Sequence, residues 1–231
     1  METGAEGLVL VTRTAAFVAA TLEAIAARGR TGLATPLLQV VTRPITVLPP
    51  VQAVLVTSAN ALPALPQAAR RLPVLAVGDA TAGRAAACGF GHVLSAGGDA
   101  GALAALVFAR LRPSDGPLLL ACGQGQGQEL VAVLRARGYG VFRRIAYASQ
   151  PVPVFPEAAD TALQGGRVAA ILFLSAAAAE AFTRLLPPGR ELGAVDALAI
   201  SPAVAARLRP LPFRRLLVSG APTLDQVLAL L

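Results

Sequence analysis

The stretch AILFLSAAAAEAF (residues 170–182) decides the fold, because it runs from an apolar strand through a serine turn into an alanine-rich helix. The same unit recurs as AVLVTSANAL (53–62), VLAVGDATAGRAAA (74–87) and ALAISPAVAARL (197–208). Strands that alternate with helices in this way predict parallel sheets with helices on both faces. The strands are near-continuous apolar runs, as expected where both faces are covered. Since each half of the chain holds one pair of copies, the sequence predicts an α/β fold of two lobes joined by extended segments.

The turns that follow these strands are candidate anion sites. In an open α/β sheet, ligands bind beyond the carboxyl ends of the strands, and a helix that begins there presents unpaired backbone N–H groups. Polar residues occupy such turns at Ser58, Asn60, Thr81, Ser175 and Ser201. Each can cap its own helix, and each can also bind a ligand carboxylate. Their recurrence at one edge favours a ligand with several negative charges.

The charge of the chain indicates its class of partner. The 231 residues carry a net charge of +7, and every basic side chain except that of the single histidine is an arginine. Without lysine, Schiff-base chemistry and the P-loop are excluded. Arginine grips carboxylates with two hydrogen bonds, so we expect an acidic small molecule. The arginines form no long basic run and aromatic residues make up only 4% of the chain, which argues against nucleic acid.

The apolar composition fits buried cores rather than a membrane span. Hydrophobic residues make up 55% of the chain, but no uncharged apolar run reaches the roughly 18 residues that cross a bilayer. The N-terminal stretch METGAEG lacks the basic region and the apolar core of a signal peptide. We therefore expect a cytoplasmic protein with no membrane partner, in which Cys88 and Cys122 are free thiols.

Three familiar kinds of site find little support in the sequence. The segment CGQGQGQE (122–129) lacks the lysine of a P-loop, and a GxGxxG pattern from Gly123 would need glycine where Gln128 stands. We interpret the segment as a tight turn, and a Rossmann-like nucleotide site stays open as an alternative. His92 is the single histidine and the carboxylates form no close pair, so neither a metal site nor a catalytic triad is expected.

The two tyrosines differ in their setting. Tyr139 lies in the turn RGYG, whereas Tyr147 closes a strand near a junction between the lobes. A tyrosine there can donate a proton to a leaving hydroxide, orient a substrate carboxylate, or simply pack one face of an edge strand. The sequence leaves these three roles of Tyr147 open.

An ordered set of motifs runs along nearly the whole chain. The set comprises VLVTR, TPLLQV, VLVTSANAL, LAVGDATA, GGDAGALAAL, ELVAVLRARGYGV and GAPTLDQVLALL, with the units at Ser175 and Ser201. This set resembles the uroporphyrinogen-III synthase family. Order and spacing carry the resemblance, because no single motif is specific. The resemblance implies two lobes, each a parallel sheet flanked by helices, joined by two extended strands. Residues 1–36 with 149–231 would form one lobe, and residues 37–148 the other.

The resemblance also implies a reaction. Family members take the linear tetrapyrrole hydroxymethylbilane, remove water and close the ring with the last pyrrole inverted, which gives uroporphyrinogen III for heme biosynthesis. The implied enzyme is a hydro-lyase with no cofactor and no metal, whose main task is to position a flexible polycarboxylate. We expect a monomer with this small-molecule substrate as its partner.

Candidate site residues come from matching the chain to the family pattern. Tyr147 corresponds to the tyrosine proposed to assist the departure of hydroxide, and Thr81 and Ser175 correspond to binding positions. The expected substrate-binding set is Arg13, Ser58, Asn60, Gly78, Thr81, Ser175 and Ser201. Two departures are visible: Cys and Gln fill residues 122–129 where the family often has arginines, and SPAV (201–204) replaces GPTT. They leave open a catalytically degenerate protein that binds a tetrapyrrole or another polyanion.

Overall fold

The computed structural model describes residues 7–231, so residues 1–6 of the METGAEG stretch lie outside the described residues. The chain divides into two compact units. Unit 1 combines the residues before Val40 with Gln150–Leu231, and unit 2 is Val40–Ser149. Within residues 7–231, no helix is long and apolar enough to cross a membrane.

The elements alternate along the chain as the repeated unit predicts. The strands are β1 (Leu8–Val11), β2 (Gly32–Ala34), β3 (Leu38–Thr42), β4 (Ala53–Val56), β5 (Val74–Ala76), β6 (Val93–Ser95), β7 (Leu118–Gly123), β8 (Val141–Pro151), β9 (Val168–Phe173), β10 (Asp196–Ala199) and β11 (Arg215–Val218). The α-helices are α1 (Ala15–Ala26), α2 (Asp79–Ala87), α3 (Ala100–Arg110), α4 (Gln128–Ala136), α5 (Glu157–Gln164), α6 (Ala176–Leu185), α7 (Pro202–Leu208) and α8 (Leu224–Leu228). The chain passes between the units within β3 and β8, so two extended strands join them.

Unit 1 is built on a parallel sheet with the strand order β11-β10-β9-β1-β2. Alternate side chains of β1 point to opposite faces, as a strand requires. Leu10 packs in one cluster with residues of α5, α6 and α7, whereas Val9 and Val11 pack in another with α1 and α8. Helices therefore cover both faces of this sheet, as the apolar runs predict.

Aromatic rings fill the centre of the larger cluster in unit 1. Phe173 and Phe182 are fully buried, and their ring centres lie 5.2 Å apart in an edge-to-face arrangement. Phe155 and Phe213 pack against Phe182 from two further sides. Such contacts add to the free energy gained from burying the ring surface.

Unit 2 is built on a second sheet, with the order β3-β8-β7-β4-β5-β6 and parallel pairing from β8 to β6. Leu55 and Leu120 of the central strands pack with α3 and α4, whereas Val54 and Ala121 pack with α2 on the other face. The register between β7 and β8 shifts after Cys122. Both sheets confirm the predicted α/β class.

The structure differs from the sequence-based expectation after β4. The unit AVLVTSANAL continues into two 3₁₀-helices, Ala59–Ala64 and Gln67–Arg71, rather than one α-helix. Pro63 and Pro66 explain this, because a proline inside an α-helix removes a hydrogen bond and clashes with the preceding turn. The proline-rich stretch 32–50 supplies β2 and β3, and each lies at the edge of its sheet, where proline-flanked strands are tolerated.

Candidate functional site

Three candidate residues of unit 1 follow neighbouring parallel strands and therefore share one edge of the sheet. Arg13 follows β1, Ser175 follows β9 and Ser201 follows β10. The Ser175 Oγ accepts a hydrogen bond from the Ala178 N–H at 3.1 Å, and the Ser201 Oγ accepts one from the Val204 N–H at 3.4 Å. The predicted capping role of both serines is confirmed, and each hydroxyl already serves its own helix.

Arg13 and Ser175 line a common pocket of about 190 Å³ within unit 1. The N-termini of α1 and α6 open onto it through Thr14 and Ser175. The Arg13 guanidinium lies over the ring of Phe17 at 4.8 Å and donates to the Thr21 Oγ1 at 3.2 Å. A fixed positive charge and two helix N-termini make this pocket suited to a carboxylate.

The polar residues after β4 and β5 have less uniform roles in unit 2. The Ser58 Oγ accepts a hydrogen bond from the Asn60 N–H at 3.3 Å, so Ser58 begins the first 3₁₀-helix and Asn60 lies inside it. Gly78 is the N-terminal residue before α2. The expectation that Thr81 is a turn residue that caps its helix is wrong, because Thr81 is buried in the first turn of α2.

Tyr147 lies in β8 and is only 7% exposed. Its hydroxyl donates a hydrogen bond to the Gln126 Oε1 at 3.1 Å. The register shift pairs Tyr147 with Gly123 of β7. A Cβ on Gly123 would lie 2.8 Å from the Tyr147 Cζ and 2.8 Å from the Gln126 Oε1, so a larger residue here would force the ring or the amide to shift.

Backbone atoms of the turn between β7 and α4 are hydrogen-bonded to both neighbouring strands, β7 and β8. The Gln126 carbonyl accepts from the Arg143 Nε at 2.7 Å and from the Cys122 thiol at 3.3 Å. The Gln124 N–H donates to the Tyr147 carbonyl at 2.9 Å. Burial raises the pKa of the Cys122 thiol, although Arg143 acts in the opposite direction, so Cys122 is a protonated structural residue. The tight turn that the sequence predicts is therefore in direct contact with Tyr147. Sequence reasoning did not predict this contact.

The arginine doublet Arg214–Arg215 lies in unit 1, at the edge of its sheet opposite Arg13, Ser175 and Ser201. Both guanidiniums bind the carboxylate of Asp196, and the Arg214 Nη2 lies 2.7 Å from its Oδ2. Asp196 begins β10 and Arg215 begins β11, so the cluster sits at the amino-terminal ends of the strands. These hydrogen bonds hold the pKa of Asp196 well below its usual range. This doublet forms a structural ion pair at the edge opposite the candidate site.

Metal-ligating side chains are not grouped in the described part of the chain. Within residues 7–231, no three His, Cys, Asp or Glu side chains come close enough to hold a metal ion. The cysteines at 88 and 122 are free thiols.

Comparison with known proteins relates most of the chain to one family. The family model described as uroporphyrinogen-III synthase HemD matches residues 19–229. The structure of uroporphyrinogen-III synthetase from Helicobacter pylori 26695 is similar with a TM-score of 0.59 and 17% identity, over 97% of each chain. Uroporphyrinogen III synthase from the extremely thermophilic bacterium Thermus thermophilus aligns with a TM-score of 0.45 and 22% identity, over 96% of this chain and 95% of that one. Among curated proteins none matches. Because the family model spans most of its residues, the chain belongs to the uroporphyrinogen-III synthase family.

Proposed function

We propose that the chain converts hydroxymethylbilane into uroporphyrinogen III as a hydro-lyase that needs no cofactor. Family membership makes the chain an enzyme of heme biosynthesis with a tetrapyrrole substrate, and neither a degenerate binding protein nor a Rossmann-like nucleotide-binding protein is favoured. The observation that carries the mechanistic proposal is the buried Tyr147 hydroxyl, which lies beside a glycine-rich turn and holds one hydrogen bond.

In this proposal, Tyr147 is the general acid for the first step. Its phenol proton passes to the hydroxyl group that leaves the hydroxymethyl carbon, so that water departs instead of hydroxide. The resulting electrophilic methylene is then attacked by the substituted carbon of the last ring, whose old bond to its own methylene bridge breaks. The freed methylene bonds to the unsubstituted carbon of that ring, which loses its proton, so the ring ends inverted. Catalysis otherwise consists of holding the flexible chain so that the substituted carbon, rather than the unsubstituted one, reaches the electrophile.

Substrate carboxylates bind, in this proposal, at the carboxyl ends of the strands in each unit. Arg13 supplies charge in the unit 1 pocket, and the helices that begin at Ser175 and Ser201 supply N–H groups. In unit 2 the corresponding segments begin at Ser58 with Asn60 and at Gly78 with Thr81. The hydroxyls of Ser175, Ser201 and Ser58 already accept hydrogen bonds from backbone N–H groups. We therefore assign most of the hydrogen bonds to the substrate carboxylates to the remaining N–H groups of the first helical turns.

The test is a product analysis with a matched pair of tyrosine variants. Wild-type protein supplied with hydroxymethylbilane should give the type III isomer above the spontaneous type I background. Tyr147→Phe should lower kcat by about 10²-fold or more, the usual contribution of a positioned general acid. Tyr139→Phe is the control, because Tyr139 is equally buried and its hydroxyl donates to the Leu111 carbonyl at 2.8 Å.

Two outcomes would contradict the proposal. Equal turnover in the two tyrosine variants would remove Tyr147 from the chemistry. Type I product alone from the wild-type protein, with tight binding of hydroxymethylbilane, would instead identify a degenerate binding protein.

We also propose that the protein is a cytoplasmic monomer without nucleic-acid or membrane partners. Its domains are proposed to be residues 1–36 with 149–231, and residues 37–148. The end of the first compact segment at Gln39 and the start of the next at Gln150 support these bounds. Light scattering tests the monomer, since it should return a mass close to 23.4 kDa.

A further inference from the structure

We propose that Gln126 is a positioning residue for Tyr147, and that its side-chain amide sets the direction in which the phenol proton points. This inference rests on the proposed acid role of Tyr147. The two side chains meet through the hydrogen bond from the Tyr147 hydroxyl to the Gln126 Oε1.

The ring of Tyr147 is already fixed before Gln126 is considered. It packs in the apolar cluster of unit 2 and stands directly over Gly123, where a Cβ would force the ring to shift. The remaining freedom is rotation of the hydroxyl about its bond to the ring. The Gln126 Oε1, as the acceptor of this hydroxyl, selects one direction for the proton until the leaving group takes it.

The backbone of Gln126 is fixed as well. Its N–H donates to the Gly123 carbonyl at 3.1 Å, and its carbonyl accepts from Arg143 and from Cys122. The amide reaches Tyr147 across the same glycine, since a Cβ on Gly123 would touch both. The amide is thus part of a turn that is anchored to the strand carrying Tyr147.

A neutral amide suits a proton donor better than a carboxylate does. An amide oxygen accepts the hydrogen bond but does not take up the proton near neutral pH, so the proton stays available to the leaving group. When the C–O bond of the substrate breaks, its electron pair leaves with the oxygen, which takes the phenol proton and departs as water. The amide NH₂ can then turn to donate to the phenolate. The unsubstituted carbon of the last ring loses its proton once it has bonded to the methylene bridge, and this proton restores the phenol, so the cycle balances.

The experiment compares Gln126→Ala with the control Gln124→Ala in the same turn, whose backbone N–H is retained. We expect Gln126→Ala to lower kcat about 10-fold, with KM within about 2-fold, which corresponds to the loss of one hydrogen bond in the transition state. Tm should fall slightly, because the buried Tyr147 hydroxyl loses its acceptor. In a Tyr147→Phe background the same substitution should have no further effect on kcat. Gln126→Glu should be slower at neutral pH and recover as its carboxyl is protonated on acidification, because the protonated form again offers both an acceptor and a donor.

The outcomes separate this inference from the function on which it rests. Wild-type turnover in Gln126→Ala, or an equal loss in the Tyr147→Phe background, overturns the role of Gln126 and leaves the function standing. Absence of type III product from the wild-type protein overturns both. A readout independent of activity is the near-ultraviolet tyrosine spectrum of a Tyr139→Phe chain, which reports Tyr147 alone because the sequence has two tyrosines and no tryptophan. Gln126→Ala should shift this spectrum, and an unshifted spectrum shows that the contact is not made.

Discussion

Replacement of Gly123 by alanine should displace the ring of Tyr147 without removing any functional group. The new Cβ would lie 2.8 Å from the ring carbon Cζ, whereas ordinary contact begins at 3.4 Å. The ring and the Gln126 amide must therefore yield by about 0.6 Å in a buried site, where overpacking destabilises by about 1–3 kcal/mol. Since a displacement of about 1 Å in an active site can lower a rate by about 10²-fold, we expect kcat to fall by roughly 10-fold.

The assay measures two quantities on the same variant. Thermal unfolding reports the packing strain, and isomer-resolved turnover of hydroxymethylbilane reports the position of the phenol. Gly83→Ala is the matched control, because a Cβ at this position in α2 meets nothing within 4 Å. In a helix interior this exchange should stabilise by about 0.5–1 kcal/mol and leave turnover unchanged.

Two results would refute the reasoning in different places. If Gly123→Ala unfolds at the wild-type temperature, the close packing of Tyr147 over Gly123 does not exist. If its Tm falls but turnover stays at the wild-type level, the packing is correct and the exact position of the Tyr147 ring does not matter for the reaction.

Three further predictions concern stability. Phe182→Ala should lower the free energy of unfolding, measured in denaturant titrations, by about 3–5 kcal/mol, because Phe182 is fully buried. The control Val133→Ala, on an exposed face of α4, should change it by no more than about 0.5 kcal/mol. Ser175→Ala should destabilise by about 1 kcal/mol through the lost cap and raise KM if the α6 N-terminus binds substrate; an unchanged Tm would contradict the cap. The pKa of Asp196 is lower in the folded state than in the unfolded chain, where it is about 4. The Asp196 charge therefore stabilises the fold at pH values above the unfolded pKa. This stabilisation is lost as the pH falls from the unfolded pKa through the folded one. Asp196→Asn should therefore have a lower Tm than wild type at pH 7, and the two should converge on acidification.

Local chemistry in the sequence was enough to predict most of the fold. A strand followed by a serine and an alanine-rich helix predicts both the parallel pairing and the caps, and Ser175 and Ser201 cap as expected. The expectation failed where proline acts against a helix, at Pro63 and Pro66. It also failed at Thr81, because propensity does not distinguish a residue before a helix from one in its first turn.

The surroundings of Tyr147 could not be predicted in the same way. The contact with Gln126 joins a turn to a strand, and it depends on the register shift that places Gly123 opposite Tyr147. A shift of one position in strand pairing cannot be recognised from the sequence of an apolar strand that is buried on both faces, because the strand has no alternation of polar and apolar residues to fix its register. The segment 122–129 therefore suggested only a tight turn.

The order in which the strands obtain their neighbours during synthesis follows from their pairing. In unit 1, β1 lies between β2 and β9, and Val9 of β1 stands opposite Ala170. The strands of the unit 2 sheet all lie between Leu38 and Pro151. Because domains fold as units while the chain emerges, a chain that has left the ribosome as far as Pro151 would carry a finished unit 2 behind a β1 that still lacks one neighbour. β1, the first strand made, obtains its second neighbour only when β9 has been made. The N-terminal segment therefore depends on a much later part of the sequence for its place in the sheet.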